Sequence, residues 1–220
     1  MNIFDIIGPI MIGPSSSHTA GAVRMGRVAG KILGEEAARA EIGLVGSFAE
    51  TYKGHGTDRA IIAGILGMKP DDERIPMSLE IADESGLVYN FTKIEIPRAH
   101  PNTAVLELAG KNGATCAIEG VSIGGGNILI TKLNGMEAAF SGATDTLIVA
   151  HHNRPGVLAA VTGMLAHFGV NIDSFRLSRA RKNEMSIMTI EIDSSIEKTV
   201  VQVLRQLKDI VSVVYMQPAS

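Results

Sequence analysis

The sequence predicts an α+β protein in two parts. A mixed α+β domain with a mostly antiparallel sheet spans residues 1–143, and a ferredoxin-like βαββαβ domain spans residues 144–220. Three observations predict it. Apolar runs at 79–96, 104–108, 114–118 and 127–133 are separated by Gly, Pro and Asn, the punctuation of strands and turns. Val157, Leu158, Val161, Leu165 and Phe168, then Val200, Val203, Leu204 and Leu207, recur at helical spacing, so each helix has an apolar face to lay on a sheet. Ser141-Gly142-Ala143-Thr144, between these regions, is a small polar break that suits a linker.

In order along the chain, the apolar start at residues 1–11 lacks a basic n-region and a cleavage site, and reads as a first strand or turn. A Gly/Ser/His loop at 13–19 leads into a helix over 20–38. A strand follows at 42–45, a second loop at 46–58, and a helix over 59–66 with Thr57 or Asp58 as N-cap. The four strand runs complete the first domain. Beyond the linker come strand 146–150, helix 155–168, strands 171–179 and 185–192, helix 196–208 and strand 211–216. That order closes a ferredoxin-like sandwich.

Composition narrows the function. Hydrophobic residues make up 45% and charged residues 20%, as in ordinary soluble domains. The net charge of -3, without a basic block, argues against nucleic acid or an anionic membrane surface as partner. No apolar run reaches transmembrane length, and a cytoplasmic setting is expected. Cys116 is the only cysteine. One thiol cannot hold an iron–sulfur cluster, which needs about three or four. Its apolar neighbours, Ala114 to Ile118, make it a buried small hydrophobe.

Three polar clusters carry the chemistry. Ser15-Ser16-Ser17-His18-Thr19 precedes a predicted helix, where free amides and the helix dipole favour an anion; it equally suits an N-cap with solvated serines. Gly54-His55-Gly56-Thr57-Asp58 flanks a histidine with glycines that permit tight turns and close approach; a plain Gly-rich turn is the bland alternative. In His100-Pro101-Asn102-Thr103 a proline stiffens a loop bearing an imidazole and an amide. A fourth segment, Ser122 to Asn127, can present amides to an anion or simply close a hairpin. Loops on a rigid scaffold are where binding groups collect. The histidines lack the spacing of a zinc helix, and no G-x-S-x-G elbow marks a hydrolase.

These three clusters, with Gly46-Ser47-Phe48-Ala49, together resemble the β domain of bacterial iron–sulfur L-serine dehydratases. The resemblance implies dehydration of L-serine to pyruvate and ammonia, with a [4Fe–4S] cluster on a partner α subunit acting as Lewis acid at the substrate hydroxyl. It makes His55 the first candidate for acid or base, with His18 and His100 as alternatives. Ser15, Ser16, Ser17 and Thr57 are candidates for the substrate carboxylate, and Asn102 for orienting a neighbour or the ammonium.

The second domain resembles ACT domains, above all the serine-sensing one of phosphoglycerate dehydrogenase, through His151-His152-Asn153-Arg154-Pro155-Gly156-Val157-Leu158 and Gly169-Val170-Asn171-Ile172. Pro155 suits a first helical turn. Gly156 lets a ligand approach, and Asn153 and Asn171 each offer donor and acceptor to a zwitterion. The resemblance implies His151, Asn153, Gly156, Val157, Leu158 and Asn171 as ligand residues at an interface between two self-associated copies. His152 points the other way along its strand. Two other readings compete: a non-catalytic amino-acid-binding regulator, and a histidine metallohydrolase.

Overall fold

The computed structural model describes residues 10–179 and 185–219; most of the apolar start, residues 1–9, lies outside them. By its contacts the chain divides into two units. One holds the described residues up to Gly135 with Ala219, and the other residues 136–218.

The first unit begins with a π-helical turn, Ser16–Gly21, that runs into α1 (Ala22–Leu33). The helix expected to reach 38 stops at Gly34, whose φ of 76° is left-handed and whose N–H closes onto Gly30 O. β1 then occupies Ala37–Leu44, longer than expected. The anticipated second loop is instead α2 (Gly46–His55), buried through Phe48 and Ala49. Left-handed Gly56, with φ 69°, ends α2 and serves as N-cap of α3 (Thr57–Ile65). Neither Thr57 nor Asp58 is therefore the cap. A glycine that reads as loop in the sequence is a hinge between two helices.

The expected strand over 79–96 divides into α4 (Ser78–Ser85) and β2 (Val88–Lys93). Gly86, at φ 77°, ends the helix, and Leu87 N donates to Ala82 O. Ser78 and Ala82, four residues apart, are the buried positions, so the period is helical despite the alternating Leu79-Glu80-Ile81. β3 (Thr103–Gly110), β4 (Thr115–Gly124) and β5 (Asn127–Leu133) follow. These strands run in the order β2-β1-β3-β4-β5; β1 and β2 are parallel and the remaining neighbours antiparallel. Residues 122–127 form the β4–β5 hairpin, whose Gly126 O accepts from Arg24 Nη1 at 2.6 Å. Cys116 is buried on β4 beneath α1; its Sγ lies 3.5 Å from Ala29 O, and burial pushes its thiol up to about 12.

α1 lies on β3–β5 and crosses α3 at two glycines. A Cβ on Gly26 would sit 2.2 Å from Ile61 O, and one on Gly64 2.1 Å from Val23 O. The helices touch backbone to backbone, and only glycine permits that. This crossing sets the first half of α1 against the end of α3, and the starts of these two helices adjoin the first two polar clusters.

The second unit opens with a strand absent from the expectations, β6 (Met136–Phe140), tied to β8 by Glu137–Arg176 at 3.1 Å. β7 (Asp145–His152), α5 (Val157–His167), β8 (Ile172–Arg179), β9 (Met185–Ile192), α6 (Lys198–Gln206) and β10 (Ile210–Met216) complete it. Four of these strands form a sheet in the order β10-β7-β9-β8, the ferredoxin-like arrangement. Leu147, Val149, Met188, Ile190 and Val213 of the sheet pack with Val157, Val161, Leu165, Val200 and Leu204 of the helices. α5 starts at Val157 after left-handed Gly156, so Pro155 lies in the preceding turn rather than the first helical turn. Ser141, in the small polar break, donates through N and Oγ to Glu191 Oε1 at 2.9 and 2.8 Å.

Candidate active site

In the first unit, α2 gathers the three polar clusters. Its Ser47, Thr51 and His55 are four residues apart and share one face. The His18 ring lies along that face. Its Nε2 is 3.2 Å from Ser47 Oγ, and its centroid is 4.8 Å from that of His55, edge to face. Phe48 closes a third side at 5.0 Å. Nδ1 of the same ring is 3.3 Å from Ser15 Oγ, which also accepts from His18 N and so caps the π-helical turn. Ser122 Oγ fastens the turn to β4 by donating to Ser17 O at 3.0 Å. Such widened turns recur at functional sites.

The 100–103 segment meets α2 at its other end. Pro101 O accepts from Phe48 N at 3.2 Å, and a Cβ on Gly46 would lie 2.8 Å from Pro101 Cα. His100 is exposed; its Nδ1 accepts from Asn102 N at 3.1 Å, and Asn102 O accepts from Ser122 N at 3.0 Å. The structure thus brings His18 and His55 into ring contact and sets His100 and Asn102 on a separate loop. Ser15, Ser16 and Ser17 are half-buried. Thr57 is fully buried, and its hydroxyl has no hydrogen-bond partner among the described residues.

The two imidazoles differ in setting. His18 is 8% exposed; burial first, and then the neighbouring His55, hold its pKa below the usual imidazole value. Both causes favour its neutral form, and the ring is held between two hydroxyls. His55 is exposed and borders a cleft of about 220 Å³ that Gly13, Thr19, Lys53, Gly56 and Arg59 also line. A buried ring held at both nitrogens by hydroxyls gives the accessible ring a fixed surface to pack against. Ser47, Thr19, Lys53 and Arg59 were not among the expected site residues. The α2 spacing Ser47/Thr51/His55 was the available signal, hidden because the segment read as loop.

The donors do not fit an iron–sulfur cluster. The single thiol is buried and strongly protonated, and among the described residues no three His, Cys, Asp or Glu side chains gather as a metal site.

In the second unit His151 is 3% exposed and His152 exposed. Nδ1 of His151 is 2.9 Å from His152 O, while its Nε2 is buried without a partner among the described residues. Cross-strand from it, Ser186 is fully buried, and among the described residues its Oγ likewise has no partner. Asn153 is half-buried; Asn171 is exposed and donates to Asp193 Oδ2 at 3.0 Å. Val157 puts its side chain in the core, leaving only backbone to a ligand, whereas Leu158 is 42% exposed and Gly156 has open space where a Cβ would stand.

Family models match segments of both units. Residues 2–86 match the family "Serine dehydratase beta chain", and residues 147–215 match "AHAS small subunit-like ACT domain", a different ACT branch from the one the motifs resemble. The probable L-serine dehydratase beta chain of Bacillus subtilis is 44% identical over 96% of both chains. The L-serine dehydratase beta chain of Peptoniphilus asaccharolyticus is 40% identical over 89% of both. L-serine dehydratase 1 of Escherichia coli is 28% identical, across 80% of this chain and 46% of its own.

Proposed function

The chain belongs to the serine dehydratase beta-chain family, and from that premise we propose that it is the β subunit of an iron–sulfur L-serine dehydratase, an ammonia-lyase working in the cytoplasm. Its partner is an α subunit that carries the [4Fe–4S] cluster, since this chain's own residues do not fit one. Together they convert L-serine to pyruvate and ammonia.

The contact between the His18 and His55 rings beside an open cleft carries this reading. Elimination of water from serine removes the α-proton and the β-hydroxyl. His55, accessible and bordering the cleft, takes or returns the proton. His18 stands behind it, held by Ser15 and Ser47, and orients the pair. His100 and Asn102 stand on their own loop, joined to α2 through Pro101. In the second unit an amino acid, L-serine first among them, binds between self-associated ACT domains at His151, Asn153, Gly156, Leu158, Asn171 and the Val157 backbone.

The test is anaerobic co-expression with the α chain. The complex is expected to make pyruvate from L-serine, and the chain alone to be inactive. His55→Ala in the complex lowers kcat by about 10² to 10⁴-fold while the cluster absorption stays. Turnover by the single chain, or no pyruvate from the complex, refutes the assignment. Wild-type kcat in the variant removes His55 from the chemistry.

A further inference from the structure

The cleft beside His55 has a charge pattern that the two-histidine reading leaves unused. Its walls include the cations Arg59 and Lys53, and no aspartate or glutamate is among the described residues that line it. Asp58 lies outside the lining, where its Oδ1 accepts from Arg59 N at 2.8 Å. Nε of Arg59 is buried, yet among the described residues it has no acceptor. Thr19 is 2% exposed, and its Oγ1 is also unpartnered. That side chain packs onto Gly13, where a Cβ would lie only 2.3 Å from the hydroxyl, so Thr19 can stand at the cleft wall only because residue 13 is glycine. Buried donors without acceptors are uncommon in folded proteins and call for an explanation. Gly56 caps α3 without a side chain, and Asp58 already accepts from Arg59 N in its first turn, so the pull of the cleft on an anion comes from its side chains.

We propose that this cleft is the carboxylate subsite of the serine site: the Arg59 guanidinium grips the carboxylate through two N–H groups, Thr19 donates its hydroxyl, and Lys53 supplies long-range attraction, which leaves the α-carbon beside His55. The proposal rests on the serine dehydratase reading and moves carboxylate recognition from the serines of the first loop to the start of α3. A guanidinium fork matches a carboxylate in shape as well as charge. At about 220 Å³ the cleft is smaller than the roughly 300–1,000 Å³ that holds a drug-sized ligand, so its guest is a carboxylate with few further atoms. Arg59 also follows His55 by four residues, across the Gly56 hinge, so the carboxylate and the reacting carbon are placed by one short stretch of chain.

The test uses the full-length chain with ¹³C-labelled histidine, His55 being assigned through His55→Gln. L-serine and 3-hydroxypropionate, which keep the carboxylate, are expected to shift the His55 ring signals; ethanolamine, which lacks it, is not. Arg59→Gln weakens that binding by about 10- to 150-fold with unchanged thermal unfolding, and Arg59→Lys recovers part of it. In the complex Arg59→Gln raises KM for L-serine far more than it lowers kcat. Absence of a His55 shift with L-serine, an equal shift with ethanolamine, or wild-type affinity and KM in Arg59→Gln overturns the subsite. Carboxylate binding that follows Arg59 in a chain whose complex makes no pyruvate upholds the subsite and removes the serine dehydratase reading instead.

Discussion

Gly64→Ala tests whether the α1–α3 crossing holds the candidate site together. The new Cβ would meet Val23 O at 2.1 Å, Arg27 N at 2.8 Å and Gly26 Cα at 2.9 Å, all backbone of the opposing helix. Backbone cannot rotate away as a side chain can. The helices must part by about 0.9 Å to reach the 3.0 Å that real contacts respect. A gap of that size forfeits a quarter to half of each dispersion contact it opens. Overpacking of this kind costs roughly 1–3 kcal/mol, here toward the upper end, while alanine returns about 1 kcal/mol of helix propensity. The net loss is about 2 kcal/mol, or a fall in Tm of roughly 4–8 °C for a chain of this size. Gly54→Ala is the control: it lies inside α2 with nothing within 4 Å of its Cβ, so it leaves Tm unchanged or raises it slightly. Thermal unfolding followed by circular dichroism reads both. A Gly64→Ala chain as stable as wild type, or a Gly54→Ala chain equally weakened, would refute the backbone-contact argument.

Three further outcomes follow from the sites. His18 has a pKa below its ordinary 6.5, so the unfolded chain takes up its proton first as pH falls. This residue's contribution to stability is complete above about pH 6.5 and is lost as pH falls from there through the depressed folded value. His18→Gln should therefore flatten part of the drop in urea midpoint on acidification, and His55→Ala should move the His18 NMR titration midpoint upward; an unmoved or lower midpoint contradicts the pair. In an Arg59→Gln chain, which lacks the cleft's hold on the carboxylate, Asn153→Ala and Asn171→Ala should each weaken the remaining L-serine binding by about 5- to 150-fold, read by calorimetry, while either change alone leaves kcat of the complex as it was. No binding of any amino acid to the Arg59→Gln chain would leave the second unit as an assembly element.

The second unit was legible because its apolar positions recur with clear periods. Val157, Val161 and Leu165 could only be one face of a helix, and residues 185–192 matched their strand to the residue. In the first unit the misreadings share one cause. Gly34, Gly56 and Gly86 are left-handed caps, and a cap glycine looks the same in sequence as a loop glycine. Residues 46–58 therefore read as loop although twelve of them are helix, and 79–96 read as one strand although Gly86 divides it.

The sequence alone determined the residue types of the site, since His18, His55, His100 and their neighbours stand in short motifs whose chemistry is local. It also determined that one thiol cannot hold a cluster. Tertiary structure decided which of these residues meet. His18 and His55 are 37 positions apart, and their rings touch because α1 and α3 cross on Gly26 and Gly64 while α2 lies between them in sequence. It also decided that Arg59 and Thr19 border the same cleft. Contacts between distant segments depend on how close two backbones can come, and a linear pattern of apolar and polar residues does not encode that distance.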